Sequence, residues 1–212
     1  MVFCIFSDMK KLQLIVVLIL TMFCNAQTPI YNKKEWSGNI PLNAYLKDTD
    51  NDFDAFQGEY EYTNNGTFFR IKLLKKTMVP MEPIGGSLFH YEDLIIGEIE
   101  YTVQNINTLV DTMGNINTNF DDPYNHAIVG LMIIDNNDYG YCTDCTPNEI
   151  RISASMFDSV LYFDLMLRRT TVNGQPALRI HLGATHLLAK KSGEPADVPI
   201  IPGGEYILTK VN

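Results

Sequence analysis

Glu59-Tyr60-Glu61-Tyr62-Thr63-Asn64-Asn65-Gly66-Thr67-Phe68-Phe69-Arg70-Ile71-Lys72-Leu73 is the stretch whose reading decides the fold. Before Asn64, charged and aromatic residues alternate, and after Gly66, Phe69, Ile71 and Leu73 alternate with Arg70 and Lys72. A period of two is that of a strand with one face buried. Asn-Gly between the halves predicts a type I′ hairpin, because both central residues need positive φ, which Asn tolerates and Gly adopts freely. Asn65-Gly66-Thr67 is also a glycosylation sequon, and the turn reading ranks above it. The signal recurs at Val172-Asn173-Gly174-Gln175, flanked by Leu161, Phe163, Leu165 and Leu167 before it and Leu178, Ile180 and Leu182 after it.

Outward from these hairpins the pattern stays β. Residues 94–103 alternate, with Ile95, Gly97, Ile99, Tyr101 and Val103 on one face and Glu98, Glu100 and Thr102 on the other, read as solvated. Residues 104–125 form an Asn-rich loop. Residues 127–134 are continuously apolar, which predicts a strand covered on both faces. The segment 135–140 reads as a turn. Ile150, Ile152, Ala154 and Met156 mark a further strand, and residues 205–211 the last, after a Pro- and Gly-rich segment at 192–204. Eight strands and no long helix result. Consecutive hairpins predict an all-β antiparallel meander that closes as a lipocalin-like up-and-down barrel, with a two-sheet β-sandwich as the alternative.

Upstream, Lys10 and Lys11 precede an apolar run at 14–23 and the small residues of Cys24-Asn25-Ala26, the pattern of a signal peptide cleaved after Ala26. The run is too short for a permanent transmembrane anchor. Phe23 stands where a lipobox requires a small residue, which argues against lipidation of Cys24. Met1 and Met9 are both possible starts. Residues 27–55 read as an N-terminal arm, with Trp36, the only Trp, as an apolar anchor, and residues 56–212 as a single β domain. The 212-residue chain carries a net charge of -9, and removal of residues 1–26 leaves 186 residues at -10. That charge repels a phosphate backbone, so nucleic acid is not an expected partner.

Few residues suggest chemistry. Cys142-Thr143-Asp144-Cys145 in an exported chain reads as a structural disulfide between Cys142 and Cys145; no helix start follows to make it a redox pair. Zinc would need two more ligands, and His126, Asp138 and Glu149 lack the required spacing. Asp48, Asp50, Asp52, Asp54 and Glu59 match the spacing of a calcium loop, but Phe53 replaces its essential Gly, so they read as a solvated acidic lead-in. His90, His126, His181 and His186 have no nucleophile beside them, and no nucleotide-binding or hydrolase motif occurs. No cofactor, metal or catalytic residue is therefore expected.

Several short motifs, taken together, resemble a known family: Phe56-Gln57-Gly58-Glu59-Tyr60, Tyr91-Glu92-Asp93-Leu94-Ile95-Ile96-Gly97-Glu98, Tyr124-Asn125-His126, Cys142-Thr143-Asp144-Cys145, Leu167-Arg168-Arg169 and Gly204-Glu205-Tyr206-Ile207. It is an uncharacterised family of exported Bacteroidota proteins, flavobacterial above all, known only as a domain of unknown function. Members carry Gly-x-Trp where this chain has Gly58-Glu59-Tyr60. The resemblance implies export and a β-rich fold, and lends no activity. The expectation is a non-catalytic protein of the periplasm, cell surface or extracellular space that binds a small apolar ligand or an envelope partner in the barrel interior or mouth. The alternatives are a structural or interaction protein of the envelope and a carboxylate-dependent hydrolase.

Overall fold

The computed structural model describes residues 28–36, 38–82, 89–104, 107–135, 144–146, 149–184 and 198–211. The signal segment with Cys24 and both possible starts, Cys142, most of the 135–140 turn including Asp138, His186, and residues 192–197 lie outside the described residues.

Among the described residues eleven strands follow in chain order: β1 (Ile30–Asn32), β2 (Tyr45–Lys47), β3 (Gly58–Asn64), β4 (Thr67–Met81), β5 (His90–Val103), β6 (Asn107–Asp111), β7 (Ile128–Ile134), β8 (Arg151–Phe157), β9 (Tyr162–Val172), β10 (Gln175–Ala184) and β11 (Gly204–Lys210). Both Asn-Gly pairs have positive φ at each residue, 47° and 80° at Asn65-Gly66 and 52° and 80° at Asn173-Gly174, as a type I′ turn requires.

The eight strands expected from sequence are the eight staves of a closed antiparallel barrel, in the order β5-β4-β3-β11-β10-β9-β8-β7 with β7 returning to β5. Two seams decide barrel over sandwich. β11 joins β3 through Thr209 opposite Glu61 and Lys210 opposite Tyr60, and β7 joins β5 through Ile128, Val129 and Gly130. β5 reaches this closure because its second edge is shared: Tyr91 and Glu92 pair in parallel with β2, Ile95–Gly97 with β7, and residues 100–103 with β6.

The barrel interior is a packed apolar core that includes Tyr60, Phe69, Ile71, Ile95, Ile99, Ile152, Leu165, Leu167, Ile180 and Leu208. A 3₁₀ turn at Asp52–Phe56 inserts Phe53 and Phe56 at the end where β3 begins. At the opposite end Leu161 and Ile201 join the core. The buried Asp158 holds both in place, one oxygen accepting from the backbone N–H of Val160 and Leu161 and the other from those of Ile200 and Ile201.

Within the arm, β1 and β2 extend the sheet from β5 in parallel. Three expectations are corrected. The 104–125 loop contains β6 and two 3₁₀ turns and lies over the outside of β5, where Ile116 packs on Leu94 and Ile96. That cover buries both faces of β5, so Glu98, read as solvated, is 0% exposed. Conversely β7 is covered throughout only in its first half. An irregularity between Gly130 and Met132 turns the strand and leaves Met132 61% exposed.

Candidate functional site

Between the arm and the second half of β7 runs a groove of about 600 Å³, lined by Lys33, Trp36, Leu46, Glu92, Leu131 and Met132 among others. The sequence builds it from opposite sides. β1 and β2 add to β5 in parallel, which stands residues 33–36 beside the barrel. β7 stops pairing with β5 at Gly130, so residues 131–134 have no strand partner on the groove side among the described residues. Trp36 belongs to neither apolar cluster. Its ring lies 4.3 Å from that of Tyr31 on β1, and its Nε1 donates to the Gly38 carbonyl at 3.1 Å, which fixes the indole on the groove wall.

At the base of this groove stands a buried charge cluster. The Lys33 ammonium pairs with Glu92, and Nε2 of His90 lies 2.7 Å from the other Glu92 oxygen, with all three side chains 10% exposed or less. Burial pulls the Lys33 ammonium below its ordinary value even against the attraction of Glu92. Beyond it, Asp93 accepts from the Tyr45 hydroxyl and from the backbone N–H of Asp48 and Met78. Burial and this carboxylate push the Tyr45 phenol upward.

The residues of the calcium-loop spacing do not converge. Asp48 is buried and accepts from the backbone N–H of Asp52 and Phe53, capping the 3₁₀ turn, while its second oxygen meets Lys75 at 2.9 Å. Asp50 and Asp52 pair with Lys34, Asp54 with Lys75, and Glu59 with Arg70 and Lys72. Sequence reading took Asp48 as solvated; three donors on one carboxylate are what allow it to be buried. Among the described residues no three His, Cys, Asp or Glu side chains gather as a metal site.

Motifs far apart in sequence meet in space. His126 Nδ1 lies 2.6 Å from Glu98, both buried, and the Phe120 ring packs edge-on against the imidazole. Asp144 bridges two arginines: Arg168 donates to one oxygen at 2.8 Å and Arg179 to the other at 2.6 Å. Arg168 also binds Glu149 at 2.7 Å, and Arg179 binds Glu205 at 2.7 Å. These arginines hold the Asp144 and Glu149 carboxyls below the usual carboxylate range. Cys142 lies outside the described residues, and Cys145 stands half-buried beside this clamp. His181 is exposed on β10, opposite Glu205 of β11.

Sequence reading missed the groove and the Lys33–Glu92–His90 cluster. A three-residue parallel strand leaves no periodic signal, and Glu92 and His90 precede the segment whose alternation is visible. Among the described residues no helix is long and apolar enough to cross a membrane. No curated protein and no solved structure matches the chain. Residues 9–211 match the family of unknown function DUF6705, so the eight-staved barrel, its clasped arm and its paired motifs are those of a chain that belongs to that family.

Proposed function

We propose that this is an exported, non-catalytic binding protein that holds a small, largely apolar ligand on the outside of the barrel, in the groove between the arm and β7. The barrel interior, the place expected from sequence, is occupied by its own aromatic and aliphatic side chains. The observation that carries the reading is the groove itself. It joins an apolar wall of Trp36, Leu46, Leu131 and Met132 to a buried Lys33–Glu92 pair, the combination of apolar surface and a few convergent polar groups that marks ligand sites. A hydrolase reading gains nothing from the geometry, since the carboxylates whose proton affinity clearly shifts are lowered by cationic partners.

The signal segment 1–26 and a Cys142–Cys145 disulfide belong to this proposal, since an oxidising compartment suits a short bridge that keeps Asp144 between Arg168 and Arg179. A second reading, an interaction protein of the envelope, draws on the unpartnered edge of residues 131–134, to which an extended segment of another protein could add as a strand.

Trp36, the only Trp, reports on the groove directly. Titration with anilinonaphthalene sulfonate or lauric acid is expected to change its emission saturably, and Leu131→Asp to abolish the change while the barrel stays folded. An emission that no apolar probe alters, or equal binding by the variant, would refute the small-ligand reading. Native mass spectrometry of protein from its own host separates the two classes, with a retained small mass for the first and a co-purifying protein for the second.

A further inference from the structure

The end of the barrel where β9 turns into β10 carries a second recess, of about 570 Å³, away from the groove. Arg169, Thr170 and Thr171 line it from β9, Tyr60 from β3 and Lys210 from β11, and no Asp or Glu is among its lining residues. In a chain of net charge -9 this is unusual. By contrast, Lys34, Arg70, Lys75, Arg168 and Arg179 each have a carboxylate oxygen within 3.0 Å. Among the described residues neither Arg169 nor Lys210 forms an ion pair with a carboxylate.

Both cations are held in place by neutral groups. The Arg169 guanidinium lies 5.9 Å from the centroid of Phe56, the aromatic plug at this end. The Lys210 ammonium lies 5.5 Å from the Tyr60 ring centroid and donates to the Gln57 carbonyl at 2.8 Å. Gly58 makes room for it, because a Cβ there would come 2.6 Å from Lys210 Cε. Stacking on aromatic faces and bonding to a carbonyl orient the two charges without neutralising them. Arg169 is close enough to Tyr60 to favour its phenolate, although burial prevails and keeps the hydroxyl a proton donor. Two fixed cations with threonine and tyrosine hydroxyls and no acid form a preorganised receptor for a tetrahedral oxyanion.

We propose that this recess binds a sulfate or phosphate group, with Arg169 and Lys210 as its two cationic contacts and Thr171, which shares Arg169's face of β9, as a neutral donor. The site is independent of the groove reading and would stand if that reading failed.

The test is calorimetric titration of the full chain with sodium sulfate and sodium phosphate, at ionic strength held constant with sodium chloride. Saturable one-to-one binding is expected, weakened at least tenfold by Arg169→Gln. Arg169 is exposed, so that substitution leaves the fold intact, and the thermal midpoint of the variant checks this. Lys76→Gln, outside the recess, should bind as the wild type. Parallel titrations with a sulfated monosaccharide, a phosphorylated monosaccharide and phosphatidylglycerol vesicles show which source carries the group, through the one bound tighter than the inorganic ion. The proposal fails if no saturable binding survives at constant ionic strength, or if Arg169→Gln and wild type bind sulfate equally.

Discussion

Asp158 shows how much one side chain can organise. Buried, it accepts four backbone N–H bonds from two segments that are forty residues apart in sequence, and so closes one end of the barrel over Leu161 and Ile201. Asp158→Ala leaves those donors without an acceptor, and a buried donor without one costs about 1–3 kcal/mol. We expect the variant to lose about 3 kcal/mol in urea unfolding, with Asp158→Asn, which keeps one oxygen, between it and the wild type. Glu149 sets a pH dependence. Arg168 depresses its folded-state proton affinity below the ordinary 4.5, so the unfolded chain takes up the proton first as pH falls. The stability it adds is therefore complete above about pH 5 and is lost as pH drops through the depressed value. Arg168→Met should flatten unfolding free energy against pH below about 5, and an unchanged slope would remove Glu149 from the account. Asp48 and Glu98 were legible as acids but not as buried ones, since burial depends on Lys75 and His126, which are brought to them only by folding.

At the scale of elements, the Asn-Gly hairpins and the alternation around them were legible because turn chemistry and period are local. The long seam of β5 was not. Gly97 faces the interior between β4 and β7, where a Cβ would come 2.7 Å from Leu73 Cδ2 and 2.9 Å from the Lys72 carbonyl oxygen. Gly130 across the seam would meet Ile95 at 2.9 Å. Gly97→Ala is thus expected to destabilise by about 1–3 kcal/mol, the range for overpacking a core against backbone that cannot yield. Its measure is the shift of the urea midpoint at unchanged m-value. The bulge in β4 between Lys76 and Val79 places Met78 at φ 53°, and Asp93 accepts its N–H at 3.0 Å. Met78→Gly should keep or slightly raise the thermal midpoint, because Gly adopts positive φ without a Cβ penalty, while Met78→Val should lower it. The proposed Cys142–Cys145 bridge is tested by thiol counting under denaturing, non-reducing conditions; two free thiols in exported protein would exclude it.

For the whole molecule, closure rests on short seams. β11 meets β3 through only two residue pairs, and β7 meets β5 through three. A chain ending before Gly204 would leave β3 and β10 with open edges, and open edges pair with other copies. Size-exclusion chromatography of that truncation should give aggregate where the full chain elutes as a defined species; a well-behaved monomer would mean the barrel does not depend on its last stave. The alternation of residues, the two Asn-Gly turns and the absence of a helical period determined by themselves that the chain is all-β with eight principal strands in an antiparallel meander, because these signals act within a few residues of one another. Only the tertiary structure decided that the sheet closes, that β1, β2 and β6 share the second edge of β5, and that Lys33, His90 and Glu92 converge beside Trp36. Those outcomes depend on contacts between residues tens of positions apart, whose energies follow from burial and pairing geometry that no local pattern contains.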